Sequence, residues 1–187
     1  MMRAGARAIH DADGRDEIRA IVVTGAGDAF CAGADLAETI PRWTEDPTHV
    51  EPDEADLHLR GDVVRTPIVA AVYGDCLAGR MEFLQATDVR IAAESARFGL
   101  PEPRWGVSPF SGSHVRLPRQ LPSARAMEYL LTGGIFPAEH ALEAGLVNDV
   151  VPDGESLARS EAVVDEIAKN SPHAIGKIKE TVLRWDD

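Results

Sequence analysis

Apolar positions along this chain fall into two patterns. Short apolar runs without helical spacing alternate with longer stretches in which apolar residues recur every three or four positions. Ile18–Val23, Pro67–Tyr73 ("PIVAAVY"), "VRIAAE" from Val89 and "LVNDVVP" are runs of the first kind and predict strands. The first two read as strands buried on both faces. Met2, Ala6 and Ile9 sit at helical spacing and predict a helix ending near Ala12. Residues 155–169 and 172–185 read as amphipathic helices. Ser123 after Pro122 is placed as an N-cap for "ARAMEYLLTGG", with Gly133 past its end. Pro137 starts "PAEHALEAG" and Gly145 stops it. Weaker patterns place short helices at Asp35–Ile40 and Leu57–Arg65. Strands alternating with helices make the class α/β.

Two of the strands run into loops of small residues. Ile18–Val23 is followed by "TGAGDAFCAGADL", and Pro67–Tyr73 by "GDCLAGRMEFLQATD", which enters a helix at about Gly79. Between them, Pro41–Asp56 is acidic and carries three prolines, the composition of a solvated surface loop. "SARFGLPEPRWGVSPFSGS" is rich in Gly, Pro and Ser and reads as another loop.

Composition narrows the function classes. The 187 residues are 44% hydrophobic and 27% charged, enough for one globular domain over 1–187 with a core at 15–154 and a helical part at 155–187. The net charge of −12 excludes broad nucleic-acid or anionic-membrane binding, though not a phosphorylated small ligand. No apolar run reaches the ~18 residues that span a bilayer. The first 17 residues lack the apolar core of a secretory signal. Cys31 and Cys76 form no CxxC pair, which reads as free thiols in a cytoplasmic protein.

The glycine loops fit none of the common nucleotide or nucleophile signatures. "GAGDAF" begins like a dinucleotide fingerprint, but Phe30 stands where its third glycine belongs. No GK[ST] follows, and "FSGS" around Ser111 lacks the first glycine of a nucleophile elbow. Six histidines are scattered without metal-ligand spacing, so no metal is expected. Two small-residue loops entering helices can instead aim one backbone N–H each at a single carbonyl oxygen, an oxyanion hole. On the pattern alone, tight packing of helices on a sheet is the favoured explanation of the same small residues. Glu82, on the first turn after Gly79, and Glu102, in "GLPEPRWG", are the candidate acid and base, since two neighbouring carboxylates separate in pKa. As bland alternatives, the first is a helix-terminal charge and the second a solvated loop residue.

"IRAIVVTGAGDAFCAGADL", "PIVAAVYGDCLAGRMEFLQATDVRIAAESARFGLPE" and "LLTGGIFPAEHALEAGLVNDVVP" resemble, in order, the crotonase or enoyl-CoA hydratase/isomerase superfamily, from about Arg15 to Trp185. The resemblance implies a crotonase-like spiral of ββα units and an acyl-CoA substrate, with coenzyme A entering as part of that substrate and no separate cofactor. It implies backbone oxyanion donors at Ala34 and Gly79, and catalytic Glu82 and Glu102 flanking a water. The loop Cys31, Ala32, Gly33 and Asp35 is implied in coenzyme A contact, and Trp105 and Phe110 either line the acyl pocket or are ordinary core aromatics. Both glutamates together favour hydration. Double-bond isomerisation, acyl-CoA hydrolysis and a non-catalytic coenzyme A-binding remnant are the alternatives. A homo-oligomer, trimer or hexamer, is implied as well.

The sequence departs from that pattern at three places. The run Ala78-Gly79-Arg80 carries Arg80 where the family usually has glycine. If that position requires a positive φ, the arginine is strained. If its side chain turns inward, it pairs with Glu82 and lowers that acid. The family's opening strands and its C-terminal helices are missing from this sequence, so the expectation is a crotonase shortened at both ends.

Overall fold

The computed structural model describes residues 2–27, 29, 30, 45, 59 and 64–184. The helix α1 (Met2–Asp13) precedes β1 (Ile21–Thr24), and β2 (Ile68–Val72) is followed almost at once by β3 (Asp75–Leu77). Helix α2 (Gly79–Leu84) comes next, then β4 (Val89–Ala93), β5 (Arg97–Gly99) and a 3-10 turn at Glu102–Trp105. The chain continues through α3 (Ser113–Gln120), α4 (Ser123–Thr132), β6 (Ile135–Pro137), α5 (Ala138–Ala144), β7 (Asp149–Val151), α6 (Ser156–Ala168) and α7 (Pro172–Arg184).

Successive strands go to two different sheets. The larger sheet runs β1-β2-β4-β7, all parallel, and the smaller runs β3-β5-β6. Strands β2 and β3 feed α2, and β4 and β5 feed the turn that carries Glu102, so the ββα unit is repeated. Every residue of β2 is buried, as a central parallel strand covered on both faces demands. Helix α6 packs across the larger sheet.

Strand β1 corrects the expectation of burial on both faces: its first three residues are half-buried and Thr24 is exposed. It pairs with β2 alone among the described residues. It also starts at Ile21, because the Ile18 N–H is already used in a turn to Arg15 O at 3.0 Å. Strand β3 lies within a stretch read as loop. Three residues give no periodicity to read, and their place is set by pairing with β5, where Asp75 faces Arg97 and accepts two bonds from its guanidinium at 2.7 and 2.9 Å.

Helix α3 begins at the last residue of the stretch read as loop and runs on through residues to which no element is assigned, with Pro118 inside it. At α4 the N-cap is Pro122, not Ser123, which is the first helical residue. Gly133 and Gly145 end α4 and α5 in the left-handed conformation, as expected. Helix α1 buries Ala6 and Ile9 against Ile68 and Phe83. The main core joins Met81, Leu84, Phe98, Leu117 and Phe136. The helix expected at Asp35–Ile40, all of the acidic loop Pro41–Asp56 but Glu45, and most of the helix expected at Leu57–Arg65 lie outside the described residues. Among the described residues no helix is long and apolar enough to cross a membrane.

Candidate active site

The entry to α2 is set by backbone geometry. Ala78 N–H donates to Gly99 O at 3.0 Å across the smaller sheet, and Ala78 O accepts from Glu82 N at 3.2 Å to open the helix. Ala78 takes φ 55° and ψ −135°, a region that costs a residue with a Cβ on the order of 1–3 kcal/mol. Arg80 lies within α2 and is not among the positive-φ residues. The strain expected of Arg80 therefore falls two residues earlier. Gly79 is the first residue of the helix.

Glu82, on the first turn of α2, is buried at 3% exposure. Its Oε1 accepts the backbone N–H of Ser113 at 3.1 Å. Ser113 is the first residue of α3, so the carboxylate lies at the positive end of a second helix. Burial raises the pKa of Glu82, and backbone and side-chain hydrogen bonds from Ser113 and Ser111 oppose that rise. Arg80 is not among the groups that move Glu82, and the acid is raised rather than lowered, which corrects the inward-pairing alternative.

Glu102 has a different surrounding. It begins the 3-10 turn between Pro101 and Pro103, neither of which has an N–H to offer. Its Oε2 is buried without a hydrogen-bond partner among the described residues. Burial, opposed by its own backbone N–H and reinforced by the charge of Glu82, raises its pKa to about 7. The fold thus brings Glu82 and Glu102 into one electrostatic neighbourhood, from α2 and from the turn after β5. Glu82 is a helix-terminal charge, as the first alternative has it, but a buried one, and Glu102 is half-buried rather than solvated.

The remaining expected residues are dispersed. Trp105 is 60% and Phe110 37% exposed, so neither is a core aromatic. Beside the Glu102 turn lies a groove of about 370 Å³ lined by Pro103, Val107, Pro109, Met127, Leu130 and Leu131, which neither aromatic lines. Cys31, Ala32, Gly33, Ala34 and Asp35 lie outside the described residues. Among the described residues no group of three His, Cys, Asp or Glu side chains is placed to hold a metal.

Ser111 and Ser113 are the site residues that sequence reasoning missed. Their signal was "FSGS", two serines around a glycine, weighed only as a nucleophile motif. Nothing local in that string announces that it meets a glutamate some thirty residues upstream.

The family described as enoyl-CoA hydratase/isomerase matches residues 1–185. The enoyl-CoA hydratase EchA19 of Mycobacterium tuberculosis is 40% identical over 97% of this chain and 70% of its own length. A mevalonyl-coenzyme A hydratase of Beauveria bassiana is 38% identical over 93% of this chain and 66% of its own. The crystal structure of a carnitinyl-CoA hydratase from Mycobacterium avium superposes with a TM-score of 0.84 at 39% identity, covering 97% of this chain and 69% of that one. An enoyl-CoA hydratase structure from Mycobacterium tuberculosis gives 0.85 at 34% identity, covering 97% and 70%. The chain thus spans roughly two thirds of the length of the relatives it matches. Matched along nearly all of its own length and in the same fold, the chain belongs to the enoyl-CoA hydratase/isomerase family.

Proposed function

We propose that this protein adds water across the double bond of a trans-2-enoyl-CoA thioester. The observation that carries this reading is the unequal supply of donors to two neighbouring carboxyls. Glu82 Oε1 accepts the backbone N–H of Ser113 at 3.1 Å. Glu102 keeps a buried oxygen with no donor among the described residues and a pKa of about 7. One group is suited to be a carboxylate and the other to hold a proton, the division that acid-base addition requires.

In the reaction, the Glu82 carboxylate takes a proton from water as the water oxygen bonds to the β-carbon. Electrons move onto the thioester oxygen, giving an enolate. The backbone N–H groups of Ala34 and Gly79 stabilise that charge, each such donor being worth about 3–4 kcal/mol. Glu102 delivers its proton to the α-carbon and becomes the carboxylate. The product is a 3-hydroxyacyl-CoA, and proton exchange with solvent resets both acids. Coenzyme A enters as part of the substrate, its nucleotide end meeting the loop Cys31, Ala32, Gly33 and Asp35, and no separate cofactor takes part. The acyl chain lies toward Trp105 and Phe110. The protein acts in the cytoplasm as a homo-oligomer, trimer or hexamer, an assembly that the exposed side chains Leu131, Ile178 and Val182 support.

The test is loss of enoyl absorbance on mixing the purified protein with crotonyl-CoA, beside Glu82→Gln and Glu102→Gln. Turnover that both substitutions reduce by about 10²–10⁴ is expected. Turnover that survives either substitution would point to another reaction of the family. A folded protein that binds an acyl-CoA and turns nothing over would be a remnant.

A further inference from the structure

Helix α2 carries Gly79 at its start and Glu82 in its first turn, yet it is only 6 residues long. A helix of that length does not hold itself in water, so its place depends on what grips its two ends. The leading end is tied by the Ala78 N–H to Gly99 O at 3.0 Å and passes through Ala78 at φ 55°. A strained residue of this kind persists only where the surrounding structure leaves it no other conformation.

The trailing end is gripped by Arg90, from β4, which is 7% exposed. Its Nη2 donates to Gln85 O at 3.2 Å and to Thr87 O at 3.0 Å, its Nη1 to Leu146 O at 3.0 Å, and its Nε to the Thr87 hydroxyl at 3.4 Å. Gln85 caps α2 and Thr87 follows it, where a helix has no further N–H for its carbonyls. Gln120 Nε2, from α3, donates to the same Gln85 O at 2.8 Å. Arg90 is itself held through its backbone: its N–H donates to Asn148 Oδ1 and its carbonyl accepts from Asn148 N, both at 2.8 Å.

Among the described residues this guanidinium bonds to no carboxylate. The charge of Asp88 favours the cation, but Asp88 Oδ2 is taken by Ile68 N and by Lys179. A buried cation on carbonyls alone is a costly way to fill a core. Its planar fork does what an apolar side chain or a lysine cannot, joining three carbonyls of two segments at once.

We infer that Arg90 is a positioning residue for the reaction: by clamping the trailing end of α2 it holds the strained entry at Ala78, and with it the Gly79 N–H and Glu82, in the place the substrate requires. This rests on the hydratase reading for the tasks of Gly79 and Glu82, while the clamp is a property of the substrate-free protein. The steps from Gly79 to Gln85 cover about 9 Å. A loosened trailing end tilts the leading one, and a displacement of about 1 Å there costs up to about 10²-fold in rate.

The experiment compares wild type, Arg90→Met, Arg90→Lys and Gln120→Met in the full chain, with Lys179→Met as a buried cation removed elsewhere. Two quantities are read: kcat and KM for crotonyl-CoA, and the infrared carbonyl stretch of bound butyryl-CoA labelled at the thioester carbon. Hydrogen bonds from the oxyanion donors lower that stretch. In Arg90→Met, kcat is expected to fall about 10–100-fold with KM little changed, and the stretch to return toward that of the free thioester. Arg90→Lys recovers part of both losses. Gln120→Met shows the same losses in smaller measure, because Arg90 still holds Gln85 O. Lys179→Met keeps the wild-type kcat and stretch, which separates positioning from loss of stability. A folded Arg90→Met with full kcat and an unmoved stretch, or with the loss carried by KM alone, overturns the clamp. If Arg90→Met does not fold, Arg90→Lys and Gln120→Met decide, and wild-type values in both overturn it. A stretch that Arg90→Met restores to the free value, in a protein that hydrates nothing, upholds the clamp and overturns the hydratase reading. A wild type that shifts no carbonyl overturns both.

Discussion

Burial, and with it the charge of Glu82, raises the proton affinity of Glu102, while Ser113 gives its backbone N–H to Glu82 at 3.1 Å and Glu102 Oε2 receives no donor among the described residues. Hydration needs Glu102 protonated before the α-carbon is attacked. As pH rises through about 7, that proton is lost and kcat/KM falls. Measuring kcat/KM for crotonyl-CoA from about pH 5.5 to 9 checks it. A profile flat above pH 7 would contradict the assignment of Glu102 as the acid.

The same group links stability to pH. The folded pKa of Glu102, about 7, lies above its ordinary 4.5, so the folded state binds the proton more tightly than the unfolded chain. Its contribution is complete below 4.5 and is lost as pH rises through 7. Glu102→Gln is neutral throughout and avoids that loss. Allowing for partial exposure, the variant gains on the order of 1 kcal/mol over wild type at pH 8 relative to pH 4.5, about 2–4 °C in Tm. Thermal melts at the two pH values test the sign.

Lys179 ties α7 to the larger sheet. Its Nζ donates to Thr66 O at 2.9 Å and pairs with Asp88 at 2.7 Å, and Asp88 in turn accepts from Ile68 N at 2.7 Å. Lys179→Met leaves a buried carbonyl and a carboxylate without this partner. A loss of about 1–3 kcal/mol in urea unfolding is expected, with kcat unchanged in the folded protein.

Arg80 offers a check on where the loop is strained. Because Arg80 is helical and Ala78 holds the positive φ, Arg80→Gly gains nothing from backbone relief. It loses helix propensity, about 0.5–1 kcal/mol. A stabilised Arg80→Gly in denaturant unfolding would contradict this placement.

What the sequence made legible follows from how far each signal reaches along the chain. Strand β2 was readable because five successive buried apolar residues have one physical meaning. Gly133 and Gly145 were readable because only a left-handed residue ends a helix that way. Strand β3 and helix α3 were not, since three residues carry no period and Pro118 argues against a helix that packing nevertheless imposes. Glu82 and Glu102 could be named as candidates from their loops and from the family resemblance, but their meeting depends on tertiary structure. Ser113 matters only through that meeting, so no local pattern singles it out.

The division of labour between the two glutamates is tested most directly by exchange of the α-hydrogens of butyryl-CoA, a saturated thioester, in heavy water above pH 7. This half of the chemistry needs the Glu102 carboxylate and the oxyanion donors, and no water activated by Glu82. Exchange is expected to persist in Glu82→Gln and to be lost in Glu102→Gln. Exchange lost in Glu82→Gln and kept in Glu102→Gln would reverse the roles and contradict the account.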